Sequence, residues 1–349
     1  MAMSSSGSHM SLTSAQVEPV VRRAYPELAD VGTWRVTQLA RPTVTETEGV
    51  VRLDGEGWSL VLKVVRAGSE REFRAYASGL LPHGTTGLRA AVVFGRTEVD
   101  GASGLWLEAL PTDEARRQWD PVDFAEAARH LGEFGVRVVL PRDVTWLERH
   151  DLSSFGAIID EGVTWLREAG EDARVRRIYP ATAQRLVLSW DRNRKEAFDA
   201  LETSDWVCCH GDAQRRNLFR LGDATVAIDW ARFGTGPVGT DLVTLLRQGA
   251  TNFELDTGDL DRNARQITRA HIAGLVRAGW RADAERLRRS LAAQHILATL
   301  IELRPNLRLA LLPDRARWAE DYYGRPFDSI VDRRRQVVDW TIETHATPL

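Results

Sequence analysis

The chain has 349 residues, of which 43% are hydrophobic and 27% charged, with a formal net charge of −3. That is enough for one large domain or two ordinary ones, with a sizeable buried core. A charge so close to zero excludes the global basic field that drives nucleic-acid or membrane-surface binding, although arginines crowd the last third.

In chain order, the opening MAMSSSGSHM (residues 1–10) reads as an expression-tag remnant outside the fold. Val17, Val20, Val21 and Ala24 recur at helical spacing and stop before Pro26, which predicts a short helix over Ser14–Tyr25. From Trp34 the texture becomes β-branched, with a DGEG turn signal, and three antiparallel strands are expected, the third over Trp58–Val65. SEREFRAYASGLL then carries Phe73, Tyr76 and Leu80 on one face, with Ser69 as a possible N-cap and Glu72 three residues on, so one helix is expected. Two more strand-like runs around VDGASG complete a five-stranded sheet with one inserted helix.

LPTDEARRQWDP is the best connection to the remainder of the chain, which is mostly helical in period: Phe124, Ala127, Ala128, Leu131 and Phe134, then Phe155, Ile158, Ile159 and Leu166, and later Leu287, Leu291, Ile296, Leu300 and Ile301. No run reaches the roughly 18 to 20 apolar residues of a membrane helix. Cys208 and Cys209 are the only cysteines and are adjacent. They cannot bridge each other without severe strain, so they are expected as small core residues of a protein in a reducing cytoplasm.

One stretch interrupts the helical texture: VCCHGDAQRRNLFRLGDATVAIDWA, residues 207–231. WVCCH and ATVAIDW read as a β pair flanking a loop, with Asp212 thrust up on that loop, Asn217 five residues later, and Asp229 closing the second strand. Oxygen groups on Asn217 and Asp229 suit a hard cation such as Mg²⁺, which takes few protein ligands and leaves the rest to phosphate. Asp212 stands apart from them, free to receive a proton. Phosphoryl transfer has this anatomy, and its catalysis is mostly positioning and electrostatics.

HGDAQRRN followed by AIDW resembles the aminoglycoside phosphotransferase and choline kinase group of small-molecule kinases, and GTGPVGTDLVTLL resembles that group's Gly-Pro and structural-Asp segment at Gly236, Pro237 and Asp241. The resemblance implies an α+β, protein-kinase-like bilobal fold: a nucleotide-binding lobe over residues 11–110, with a small antiparallel sheet and one helix, and a helical lobe over 111–349 with the catalytic loop and acceptor site. It implies Asp212 as the catalytic carboxylate and Asn217 and Asp229 as metal ligands for Mg²⁺. Lys63 in LVLKVV would contact the α- and β-phosphates with Glu72 as its ion-pair partner, Glu70 being the competitor. Glu108, Ala109 and Leu110 would meet the adenine through their backbone.

The implied reaction moves the γ-phosphate of ATP or GTP to a hydroxyl of a small molecule, most readily an antibiotic. A sugar, a choline-like alcohol or homoserine are the metabolic alternatives. The partners are then the nucleotide and the acceptor, with no nucleic acid or membrane, in a monomer or dimer. A non-catalytic nucleotide-binding module and a metal hydrolase using His210, Asp212 and Asp229 are the competing classes. The sequence departs from the group's pattern in three places: QLARPTVTE, where a phosphate-covering loop belongs, has no glycine; Gly135 ends a helix where relatives carry histidine; and Gln214-Arg215-Arg216 replaces a common His-Pro. No Asp-Phe-Gly or Ala-Pro-Glu follows Asp229, which separates the chain from protein kinases.

Several residues admit two readings. His210 is expected as a hydrogen-bonded scaffold rather than a catalyst. Glu254, Asp256, Asp259 and Asp261 form either an acidic wall for a cationic acceptor or a solvated loop in which Asp259 or Asp261 caps a helix. Trp318, Tyr322 and Tyr323 form either core or a stacking surface.

Overall fold

The computed structural model describes residues 12–40, 47–66, 70–140, 144–281 and 283–345. The chain separates into two compact units, residues 1–79 with 90–112, and residues 80–89 with 113–349.

The first unit is an antiparallel five-stranded sheet built from β1 (Trp34–Ala40), β2 (Thr47–Gly55), β3 (Trp58–Val65), β5 (Val93–Val99) and β6 (Ala102–Glu108), in the order β1-β2-β3-β6-β5. Alternation explains it: Leu60, Leu62 and Val64 of β3 are buried on one face with Val51, Leu53 and Trp106. α1 (Ser14–Ala24) closes that core with Val17, Val20 and Val21, and its start is set by a capping box of Thr13 and Gln16. α2 (Arg71–Ala77) is shorter than the periodicity suggests and begins after Glu70. The expected N-cap Ser69 and most of the glycine-free segment, residues 41–46, lie outside the described residues.

The strand β4 (Gly87–Ala90) does not join that sheet, although its residues open the apolar run that continues into β5. It pairs instead with the hairpin of β9 (Leu218–Leu221) and β10 (Ala224–Ala227), where Gly87 donates to the carbonyl of Asp223. A third small sheet joins β7 (Glu148–Arg149), β11 (Gly234–Pro237) and β8 (Trp206–Cys209).

Here the structure corrects the sequence: the strands flanking the catalytic-type loop do not pair with each other. Gly222, at φ +56°, turns β9 back on β10, so the hairpin lies wholly after Asn217, while β8 takes β11 as its partner with Cys209 opposite Gly234.

The rest of the second unit is helical: α3 (Thr112–Arg116), α4 (Pro121–Arg137), α5 (Gly156–Ala169), α6 (Ala173–Ile178), α7 (Ala181–Arg192), α8 (Arg194–Glu202), α9 (Thr240–Thr251), α10 (Leu260–Arg277), α11 (Ala284–Leu311), α12 (Pro313–Tyr323) and α13 (Phe327–His345). Its largest core gathers Ile159, Leu166, Val187, Leu297, Leu300 and Leu303 around α11. α4 and α10 approach unusually closely: a Cβ on Gly132 would lie 2.4 Å from the carbonyl oxygen of His271, and one on Gly274 2.0 Å from that of Arg129. Gly135 serves the same end, since a Cβ there would come within 2.9 Å of the carbonyl of Cys208. The residue that departs from the family pattern thus lets α4 lie against β8. Among the described residues no helix is long and apolar enough to cross a membrane.

Candidate active site

The loop after β8 is fixed before any chemistry is asked of it. Both carboxylate oxygens of Asp241, one residue into α9 and 4% exposed, accept backbone N–H groups: His210 at 2.8 Å and Gly211 at 2.9 Å. A carboxylate at a helix N-terminus is favoured by the helix dipole as well. Gly211 is required by its backbone, at φ +81°, and by space, because a Cβ would sit 2.3 Å from the carbonyl of Arg232 and 2.5 Å from His150 Nε2.

His210 is fully buried, and its two nitrogens are both engaged by the backbone. Nε2 donates to the carbonyl of Ile228 at 2.9 Å, and Nδ1 accepts from the N–H of Asp212 at 3.2 Å. It also packs on Trp230 at 4.5 Å between ring centroids. The imidazole therefore ties the loop to the segment after β10 and has no lone pair left for a metal, which removes the His210–Asp212–Asp229 hydrolase arrangement.

Asp212 emerges from this frame half-buried, with both oxygens gripped by amides. Asn217 Nδ2 donates at 2.9 Å to Oδ2 and at 2.9 Å to the backbone carbonyl of the same aspartate, while Gln214 Nε2 donates at 2.7 Å to Oδ1. Commitment of the amide nitrogen leaves Oδ1 as the atom of Asn217 that could hold a metal. Asp229 lies at the same open end of the hairpin, because Ile228 donates to the carbonyl of Asn217 at 3.0 Å beside the last ladder pair, Leu218 opposite Ala227. Asp229 is left-handed at φ 63°, an uncommon conformation for a non-glycine that aspartate tolerates best. Three of the sequence-selected residues thus fall in one small neighbourhood.

Gln214, Arg215 and Arg216 take up separate tasks. Arg215 is buried, stacked 4.4 Å over Trp119, and its guanidinium donates to the carbonyls of Leu218, Glu114 and Arg117. Burial pulls its pKa below the usual arginine range. Arg216 is exposed and donates to the hydroxyl of Tyr322 at 3.0 Å. Nothing in the composition of this loop tells the two arginines apart.

In the first unit Lys63 and Glu72 meet: Nζ lies 2.7 Å from Oε2, with side chains only 9% and 3% exposed. Glu70, the competitor, instead faces Arg96 at 3.3 Å. Glu108 ends β6, its N–H donating to the carbonyl of Val92 at 2.9 Å, and the carbonyl of Leu110 accepts from Arg52 at 3.2 Å. Ala109 lies between them in the segment that leaves the strand.

The acidic run resolves into unlike members. Asp259 pairs with Arg262 and Asp261 with Arg265, so both belong to the solvated reading; Asp259 stands at the N-cap of α10 without a side-chain capping bond. Glu254 is different: one carboxylate oxygen is buried with no hydrogen-bond partner, and burial pushes its pKa up to about 7 against the pull of Arg215 and Arg216. Trp318 and Tyr322 are each 51% exposed, so they are not core residues, whereas Tyr323 packs on Phe253 at 5.9 Å. Cys208 and Cys209 are buried free thiols whose pKa values burial drives well up, as inert core residues require.

Residues 45–288 match the phosphotransferase enzyme family. The chain belongs to that family. In structure it is similar to a choline kinase from Cryptosporidium parvum (9% identity, 94% of this chain and 97% of the other, TM-score 0.55) and to an aminoglycoside phosphotransferase from Alicyclobacillus acidocaldarius (14%, 87% and 92%, TM-score 0.52). It is also similar to an amicoumacin kinase solved in complex with AMP-PNP, Ca²⁺ and Ami (16%, 90% and 90%, TM-score 0.52). At such identities these likenesses establish the kinase-like α+β fold of this phosphotransferase. No curated protein matches the chain significantly.

Proposed function

We propose that this phosphotransferase moves the γ-phosphate of ATP or GTP to a hydroxyl of a small molecule, most readily an antibiotic. The observation that carries this is the double amide grip on Asp212 within a loop whose backbone is clamped by Asp241. A carboxylate so held keeps both its position and its lone pairs aimed, which is what an acceptor hydroxyl needs in order to be oriented. The family match and the likeness to kinases acting on amicoumacin and aminoglycosides support a small-molecule acceptor.

In this reaction the acceptor oxygen forms a bond to the γ-phosphorus as the bond to the bridging β-phosphate oxygen breaks. The acceptor proton passes to Asp212, and the products are the phosphate ester and a nucleoside diphosphate. Asn217 and Asp229 would hold the divalent cation: the remaining amide oxygen and a carboxylate are the hard oxygen donors that Mg²⁺ selects. When bound, such a cation neutralises charge on the phosphates. Lys63, oriented by Glu72, is assigned to the α- and β-phosphates, and the backbone of Glu108, Ala109 and Leu110 to the adenine.

Incubation with ATP or GTP, Mg²⁺ and a broad panel of hydroxylated compounds, with mass-spectrometric detection of an added phosphate, tests the assignment. Transfer by the wild type that Asp212→Asn lacks is expected. A panel on which wild type and Asp212→Asn give the same background overturns it.

A further inference from the structure

The turn that follows α9 and the face of α12 form a second group of side chains that is continuous with the catalytic-type loop. Trp318 and Tyr322 sit one helical turn apart and stack in parallel, with centroids 5.0 Å apart and planes at 17°. Both are about half exposed, an unusual expense of apolar surface for two adjoining rings. The hydroxyl of Tyr322 accepts from Arg216, the residue directly before Asn217. On the other side, Tyr322 meets Tyr323 edge-on at 4.9 Å, and Tyr323 packs on Phe253. Phe253 itself is left-handed at φ 62°, strain that a bulky residue tolerates only where its surroundings hold it.

We propose that Trp318 and Tyr322 form a platform for a planar, conjugated ring on the acceptor. Two rings in parallel stack offer an outer π-face rather than a cage, which suits a flat ring and not a compact ammonium group, whose recognition needs rings from several sides. Charge points the same way. Arg216 stands at the rim of the platform, and Arg325 and Arg333 lie over Phe253. Asp259 and Asp261 are paired with Arg262 and Arg265 of their own helix.

The platform rests on the small-molecule kinase assignment, and the test separates the two. Matched glycosides carry the same sugar hydroxyls with and without a flat ring: p-nitrophenyl and 4-methylumbelliferyl glycosides against methyl glycosides. Binding is read by saturation-transfer NMR on the nucleotide-loaded protein, and transfer by mass spectrometry. Aryl glycosides are expected to bind at least tenfold tighter than methyl glycosides to the wild type and to Asp212→Asn, and Trp318→Ala is expected to erase that preference. Trp318→Leu, which keeps apolar bulk without the π-face, guards against a folding artefact and should behave like alanine. Equal binding of the two glycoside classes, an aryl preference that survives Trp318→Ala and Trp318→Leu, or tighter binding of a ring-free polyamino sugar would overturn the platform. Aryl binding without any phosphate transfer by the wild type would keep the platform and count against the kinase assignment instead.

Discussion

Asn217 reaches back five residues to hold Asp212 twice, at 2.9 Å to its backbone carbonyl and 2.9 Å to its carboxylate. One amide thus fixes both the course of the loop and the orientation of the acid.

Removing that amide should be felt in turnover before stability. Asn217→Ala is expected to lower kcat by roughly 10²-fold or more, within the range of positioned proton-transfer groups, and to cost about 1–3 kcal/mol of stability from lost hydrogen bonds. Acceptor-dependent turnover and denaturant midpoints check the two numbers separately.

Lys63 and Glu72 form a buried ion pair, so removing one partner takes the opposite charge away from a buried group. Lys63→Met and Glu72→Leu are each expected to destabilise by about 3–5 kcal/mol, and the double variant by less than the sum of the two. Chemical denaturation of the four proteins completes the cycle. A fully additive double variant would show that the two side chains do not interact in solution.

The clamp at Asp241 predicts a graded series. Asp241→Asn keeps one acceptor oxygen and should cost about 1–3 kcal/mol, while Gly211→Ala must relieve both a positive φ and a contact of 2.3 Å, and should cost more. Thermal melting ranks the pair, and the reverse order would refute the clamp.

The dependence of stability on pH carries two opposed signals. Burial lowers the pKa of His345 and of His130 to about 4 from 6.5, so the unfolded state binds more protons between those values and stability falls as pH drops from about 6.5 towards 4. Burial raises Glu254 to about 7 from 4.5, so the native state holds the extra proton and stability falls as pH rises through that window. Glu254→Gln should therefore stabilise the protein by about 1–3 kcal/mol at pH 8 and little at pH 4.5, with denaturation curves at both values as the check.

The motif was legible because its chemistry is local: Asp212, Asn217 and Asp229 announce themselves within eighteen residues. The third strand was equally plain, running over Trp58–Val65 as its β-branched texture indicates. What escaped were partnerships settled by distant chain. Nothing near WVCC says that it pairs with GTGP rather than with ATVA, since the Gly222 turn competes for the same strand. Periodicity likewise marks α4 as amphipathic without revealing that Gly132 and Gly274 face neighbouring backbones. Glu254 looked like its acidic neighbours, because burial, which sets it apart, is not written in composition.

α9 is a rod of twelve residues, about 18 Å at 1.5 Å per residue. At its front Asp241 grips the backbone of the loop that carries Asp212, and its rear runs straight into Phe253 and Glu254. A ligand that displaces the rear turn must carry the rod along or bend it. By thermodynamic reciprocity, whatever an occupant at one tip does to affinity at the other must be returned in equal measure.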